Sequence, residues 1–304
     1  MPIYKVEKDK LTHIREQKIE FERDIQQLTE KNLDTLLGLE FVSTEFSLHQ
    51  LRIDTLAYDK ENSAFVIIEY KRDRSFSVID QGYAYLALML NNKADFILEY
   101  NEKTGGNLKR DDVDWSQTRV LFFANSFTSY QMNAINFRDL PIELWEVKIY
   151  DNNTILYNQL LAQEAKESIK TVSKNKTISS VSKEVKVYNV EDHLVGVEES
   201  TKNLFYGLKE KIFSIKDDIE ERPKQNYIAY RTQQAFAYVH LQKNRIKIHL
   251  IISKDKLNDP KNISRDVTNI GHHGGGVTEI YLDKEEDLNY IFSLIEQSYK
   301  YLLK

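Results

Sequence analysis

The sequence predicts an α/β first domain followed by a smaller α+β domain. Three observations lead there. A segment with strand period, Leu51 to Tyr58, is followed within a few residues by Ala64 to Tyr70, an apolar run rich in β-branched and aromatic residues. Strand-like and helix-like patterns then follow one another up to Tyr150, the order of a mixed sheet flanked by helices. Over residues 164–186 the composition turns to serine, threonine and lysine without aromatics, which reads as an exposed linker. The expected organisation is therefore a domain over 1–163, a linker over 164–186 and a second domain over 187–304.

The elements of the first domain can be justified in order. Leu51, Ile53, Thr55 and Ala57 alternate with Arg52, Asp54, Leu56 and Tyr58, as in a strand. Ala64 to Tyr70 reads as a strand covered on both faces. Asp59-Lys60 and Asn62-Ser63 between them supply turn chemistry, so an antiparallel hairpin is expected. Ser77 suits the N-cap of a following helix, on which Gln81 and Tyr85, four apart, share a face. Asp95 to Tyr100 reads as a strand, Asn101 to Asp114 as a polar loop and Arg119 to Ala124 as a buried strand. Ser126 to Phe137 reads as a helix and Ile142 to Tyr150 as a last strand.

Composition bounds the function. At 304 residues, with 41% hydrophobic and 29% charged residues, the chain has the make-up of a soluble two-domain protein. The longest apolar stretch, Tyr83 to Leu90, is too short to cross a bilayer, and Met1-Pro2-Ile3-Tyr4-Lys5 lacks the apolar core of a signal peptide. A cytoplasmic location without a membrane partner is expected. With no cysteine there are neither disulfides nor thiolate metal sites. A net charge of −5 argues against a protein that coats DNA non-specifically, because such binding relies on lysine and arginine. It leaves room for an enzyme with an acidic metal site. Neither a GxGxxG fingerprint nor a P-loop is present, so nucleotide-cofactor chemistry is not expected.

The chemistry-bearing residues cluster between Leu51 and Tyr85. Glu69 and Lys71, two apart on a strand, must project from one face, and Asp54 on the preceding strand needs only a suitable register to meet them. Glu69 directly follows the apolar Phe65-Val66-Ile67-Ile68, and a carboxylate in such surroundings needs a partner or a metal. Two carboxylates and a substrate phosphate can hold Mg²⁺ or Mn²⁺, and an ammonium beside them can orient water or stabilise developing charge. Phosphodiester hydrolysis is the chemistry this set suits.

Arg52-Ile53-Asp54, Glu69-x-Lys71 and Gln81-x-x-x-Tyr85 resemble successive motifs of the PD-(D/E)XK nuclease superfamily, closest to its RecB-like and archaeal mismatch-endonuclease-like branch. The resemblance covers roughly the first half of the chain. It implies a restriction-endonuclease-like core of a helix, three strands, a helix and a further strand, with the site where the sheet splays. It implies Asp54 and Glu69 as metal ligands, the Tyr70 carbonyl as a third ligand, and Lys71 as the catalytic lysine. Glu30, in the first predicted helix, is the match for a glutamate that many members add. Gln81 and Tyr85, with Arg52, are the implied supporting or DNA-contacting residues. Mg²⁺ or Mn²⁺ is the implied cofactor, DNA the implied partner, and a homo-oligomer the implied assembly.

In the second domain, Ser200 to Phe213 is helical by its Leu204, Phe205, Leu208 and Ile212 spacing. Gln225–Thr232, Ala235–Leu241, Arg245–Ile252 and Val277–Leu282 read as strands, and Glu285–Leu303 as a closing helix. Asn226-Tyr227-Ile228-Ala229-Tyr230, Phe236-Ala237 and Gly271-His272-His273-Gly274-Gly275-Gly276 resemble a small bacterial domain of unknown function that follows nuclease-like domains. The glycine-rich loop reads mainly as a tight connection, and its adjacent histidines have no partner at metal-ligand spacing. Tyr227, Tyr230, Arg231, Lys243, Arg245 and Lys247 form a basic and aromatic group suited to stacking bases and meeting phosphates. This domain is expected to select a nucleic-acid target or a protein partner. Two readings stand: a metal-dependent nuclease, and a non-catalytic nucleic-acid-binding or protein-interaction module on a nuclease-like fold.

Overall fold

Among the 304 residues, the computed structural model describes 2–17, 22–71, 77–137, 139–161, 167–172 and 175–303. They fall into two units, 1–187 and 188–304.

The first unit begins with a hairpin of β1 (Ile3–Glu7) and β2 (Lys10–Ile14), then β3 (Glu16–Gln17), α1 (Glu22–Glu30) and α2 (Leu33–Leu37). There follow β4 (Glu40–Leu48), β5 (Leu51–Asp59), β6 (Ala64–Lys71), α3 (Val78–Asn91) and α4 (Lys93–Thr104). The unit continues through β7 (Arg119–Ala124), α5 (Ser129–Ala134), β8 (Ile142–Tyr150) and β9 (Ile155–Leu160), ending in α6 (Ile169–Val172) and α7 (Lys176–Glu184). Its seven-stranded sheet runs β3-β8-β7-β6-β5-β4, with β9 also paired to β8. Strands β4, β5 and β6 are antiparallel, β6, β7 and β8 are parallel, and β9 returns antiparallel. The expected mixed α/β architecture is the one found.

Helices cover both faces of this sheet, which is why β6 is apolar along nearly its whole length. Leu56, Tyr58, Phe65, Ile67 and Phe122 pack with Tyr83, Leu86 and Met89 of α3 and Phe96 of α4. Ala57, Val66, Ile68, Tyr70 and Phe123 pack on the other face with Ile25 of α1 and Leu33 of α2. Ser77 caps α3 by accepting a hydrogen bond from the Asp80 N–H, as its position predicts. Gly82 lets α3 lie close to the sheet, since a methyl group there would collide with Ile142.

Three expectations need correction. Asp95–Tyr100 is not a strand but the centre of α4, because Phe96 and Tyr100, one helical turn apart, both turn into the core. The helix expected over Ser126–Phe137 is confined to α5, capped at Thr128. The stretch 164–186, expected as an exposed linker, forms α6 and α7 among its described residues, and Ile169, Ile178, Val181 and Val185 are buried in the first unit's core. Small and β-branched residues at helical spacing carry too little apolar signal to distinguish a packed helix from a tether. Residues 162–166 and 173–174 lie outside the described part.

At the sheet end remote from Glu69, Arg119 forms ion pairs with Asp59 at 2.9 Å and Glu143 at 3.2 Å, with only 15% of its side chain exposed. Replacing it with methionine would remove the countercharge from two largely buried carboxylates, which keep hydrogen bonds from Asn62, Trp145 and Gln159, at a cost of about 3–5 kcal/mol. Chemical denaturation of the Arg119→Met variant should show this, and a loss below about 1 kcal/mol would mean that water screens the cluster.

The second unit holds α8 (Val190–His193), α9 (Glu199–Phe213), β10 (Glu220–Pro223), β11 (Ile228–Arg231), β12 (Ala235–Leu241), β13 (Ile246–Leu250), β14 (Arg265–Asp266), β15 (Thr278–Leu282) and α10 (Leu288–Leu302). The strands form an antiparallel sheet in the order β10-β11-β12-β13-β15-β14. Phe205 and Leu208 of α9, with Ile291 and Ile295 of α10, pack on one face against Tyr230, Val239, Ile248 and Ile280. The expected smaller α+β domain is present.

Candidate active site

Strands β5 and β6 stay paired only as far as Thr55 opposite Ile68. Beyond that point Asp54 and Glu69 leave the ladder on the face that carries α3. The Asp54 carboxylate turns back across the gap, its Oδ2 accepting a hydrogen bond from the Tyr70 N–H at 3.0 Å. Lys71 Nζ donates to Glu69 Oε1 at 2.6 Å. From α3, Gln81 Nε2 donates to the same Glu69 oxygen at 3.1 Å and meets the Tyr85 hydroxyl at 3.3 Å. Tyr85 in turn donates to the Arg52 carbonyl at 3.1 Å. Asp54, Glu69, Lys71, Gln81 and Tyr85, picked out by spacing, therefore form one connected group.

Glu69 is 4% exposed, and its Oε2 is buried with no hydrogen-bond partner among the described residues. Burial, and next the neighbouring Glu69 charge, push the Asp54 carboxyl up to about 6. The Tyr70 N–H and the Lys71 ammonium pull it down without overcoming those effects. Burial, then the Glu69 charge, also raises the Tyr85 phenol, which stays protonated as a donor. Two partly desolvated carboxylates pressed together in this way gain from a shared cation.

The donor set suits such an ion. Magnesium and manganese take oxygen ligands and retain water. The Glu69 oxygen that lacks a partner among the described residues and the partly desolvated Asp54 carboxylate are groups that fit one. Among the described residues no group of three or more His, Cys, Asp or Glu is disposed to hold a metal. An ion here would rest on two carboxylates, a main-chain carbonyl such as that of Tyr70, and water or phosphate.

Glu30 is engaged elsewhere. Its Oε1 accepts from Thr55 Oγ1 at 2.6 Å and from Gln26 Nε2 at 3.1 Å. Thr55 follows Asp54 directly, so its side chain projects to the opposite face of the sheet. The Arg52 side chain is exposed and pairs with Glu45 at 2.8 Å, leaving only its carbonyl in the group. Gln26 was not legible as a site residue: it is buried, and it donates to the Asp54 carbonyl at 2.8 Å. Its signal in the sequence is its position one turn before Glu30 on the same helical face.

Arg245 and Lys247 belong to the second unit. The Arg245 guanidinium lies 4.3 Å from the Tyr281 ring centre, and Lys247 sits opposite Tyr281 on the neighbouring strand. Tyr227 and Tyr230, expected as base-stacking residues, are both buried, because each packs into a core layer of the sheet. His249, two residues beyond Lys247 on β13, is fully buried. It lies in a row: His240 Nδ1 to the Asn226 carbonyl at 3.0 Å, His240 Nε2 to His249 Nδ1 at 3.2 Å, and His249 Nε2 to Glu279 Oε2 at 3.0 Å. The glycine-rich loop closes over it, with Gly276 against the His249 backbone and the His272 ring 4.2 Å from that of His249. These partners lie far apart in sequence, and no local spacing exposes them.

Residues 190–301 match DUF5655, a domain of unknown function. Over 301 residues the chain is 44% identical to an uncharacterized protein of Haemophilus influenzae, covering 99% of this chain and 100% of that protein, and it belongs to the same family. Among solved structures, a repair endonuclease from Pyrococcus abyssi is similar at 18% identity and a TM-score of 0.23, over 40% of this chain and 45% of that one. A complex of EndoMS with dsDNA is similar at 15% identity and a TM-score of 0.23, over 48% of this chain and 64% of that one. The chain thus spans less than two thirds of each of these two structures. No helix among the described residues is long and apolar enough to cross a membrane.

Proposed function

We propose that the first unit is a metal-dependent deoxyribonuclease that hydrolyses phosphodiester bonds. The observation that carries this reading is the meeting of Asp54, Glu69 and Lys71 at the point where β5 and β6 part, with a buried Glu69 oxygen that has no partner among the described residues. A structural ion pair has no need of the second carboxylate, whose burial is unfavourable. In this reading Asp54, Glu69 and the Tyr70 carbonyl hold Mg²⁺ or Mn²⁺. Such an ion, when bound, neutralises phosphate charge and acidifies a bound water. Lys71 holds a proton at Nζ beside the reacting phosphate, where it orients the attacking water and stabilises developing negative charge. Gln81 keeps the Glu69 carboxylate turned, and Tyr85 secures the β5 main chain. In the second unit, Arg245 and Lys247 are the candidate contacts to a nucleic-acid backbone.

A binding module without catalysis is the second reading. It is favoured by the engagement of Glu69 Oε1 with both Lys71 and Gln81, which ties up one of the two Glu69 carboxylate oxygens. Cleavage of single- and double-stranded DNA with Mg²⁺ or Mn²⁺ separates the two, comparing wild type with Asp54→Ala. Metal-dependent cutting that disappears in the variant supports the nuclease. Absence of cutting with equal DNA binding by both proteins supports the module, and cutting that survives the substitution places the chemistry elsewhere.

A further inference from the structure

We infer that Gln26 is a positioning residue for this site, gripping the β5 main chain from the face opposite the carboxylates; the inference rests on the nuclease reading above. The splay of β5 from β6 leaves main-chain groups without ladder partners, and buried groups of that kind must be satisfied some other way. Side chains do this on both faces. The Tyr85 hydroxyl takes the Arg52 carbonyl from the α3 side, and the Gln26 amide takes the Asp54 carbonyl from the α1 side. Asp54 Oδ2 itself takes the Tyr70 N–H. Asp54 is thereby held at its carbonyl by one helix, two residues upstream by another, and at its carboxylate by the facing strand.

Gln26 is the member of this clamp with the widest reach. Its single Nε2 lies 2.8 Å from the Asp54 carbonyl, 3.0 Å from Thr44 Oγ1 and 3.1 Å from Glu30 Oε1. One buried amide thus joins α1, β4 and β5. It also connects Glu30 to the Asp54 main chain, giving that glutamate a route to the site without touching the metal-ligand atoms. Thr55 closes the loop by donating to Glu30. A glutamine serving the fold alone would not need to converge on the one residue whose carboxylate must be aimed. Partners that orient ligands in this way typically carry a 10–100-fold effect on metal affinity (roughly) when removed.

The test compares the full-length wild type with Gln26→Met, which keeps chain length and removes the donor. Mn²⁺ affinity is measured by titration calorimetry, the kcat and KM for DNA cleavage are measured alongside it, and folding is followed by thermal melting. The expected result is Mn²⁺ binding weaker by about 10-fold or more, a matching fall in kcat, an unchanged KM and a preserved cooperative melt. Gln26→Leu, neutral and likewise without the donor, serves if the methionine variant does not fold, and the same outcomes apply. Wild-type-like metal affinity and kcat in a folded variant overturn the role of Gln26 while leaving the nuclease reading intact. If the wild type neither binds Mn²⁺ nor cleaves DNA, the nuclease reading fails and the role of Gln26 falls with it.

Discussion

Lys71→Met is expected to lower DNA cleavage at saturating Mn²⁺ by about 10²–10³-fold or more, the scale associated with losing one preorganised charge or donor at a reacting centre. Lys71 stands 2.6 Å from Glu69 with 22% of its side chain exposed, so its ammonium is held at the carboxylate rather than free in solvent. Its loss has a second, independent consequence. The Lys71 ammonium is one of the influences that hold Asp54 down, against burial and the Glu69 charge. Without it the Asp54 carboxyl should rise above its present value of about 6. The acid limb of the pH–rate profile, set by protonation of that ligand, should then shift to higher pH. A rate within tenfold of wild type, with an unmoved acid limb, would remove Lys71 from the mechanism and return the group to a structural ion pair.

The second unit should lose stability as the solution is acidified through the range where His240 stays neutral but free histidine does not. Burial first, then the His249 ring and the Lys247 charge beside it, push His240 down to about 3. Burial also lowers His249, against the Glu279 hydrogen bond that raises it. The sign follows from linkage. A histidine depressed in the folded state binds its proton in the unfolded chain first, so unfolding takes up protons below the ordinary value of 6.5. The stabilisation is therefore complete above about pH 6.5 and is withdrawn as pH falls towards 3. Each unit of displacement corresponds to about 1.4 kcal/mol, so His240 alone contributes a loss of a few kcal/mol.

Glu279 adds to the same trend. Burial by itself would raise it, but its hydrogen bonds to His249 and Tyr281 and the charge of Arg265 hold it below its ordinary value. Its contribution is present above the usual carboxylate range and fades as pH falls through the lowered value. Urea unfolding followed from pH 7.5 to 4 should show a declining midpoint, with proton uptake on unfolding. His240→Phe should flatten that slope by about one proton. A wild-type midpoint independent of pH across this window would mean that the row of histidines opens to water without unfolding.

Much of the first unit was legible in the sequence because its signals are short-range. Strand period in Leu51–Tyr58, the apolar run of Ala64–Tyr70 and the cap at Ser77 each act within a few residues, and all three appear as read. The alternation of side chains along a strand by itself puts Glu69 and Lys71 on one face. Asp95–Tyr100 reads as a strand because the short apolar run Phe96-Ile97-Leu98 fits either period, and only the core position of Phe96 and Tyr100 decides for a helix. The stretch 164–186 reads as a linker because serine and lysine mask the buried Ile178 and Val181.

What the sequence by itself determined is the identity and order of the acid, acid and lysine set and the local elements that carry them, because these depend on spacing within one or two turns or strands. Tertiary structure alone decided where β5 leaves β6, that Gln26 grips Asp54 from the far face while Glu30 turns to Thr55, and that His240, His249 and Glu279 form a buried row. Those arrangements join residues 28, 25 and 30 positions apart. They come together because the sheet register and helix packing, set by the burial of apolar side chains on both faces, leave particular polar groups facing one another with no water to satisfy them.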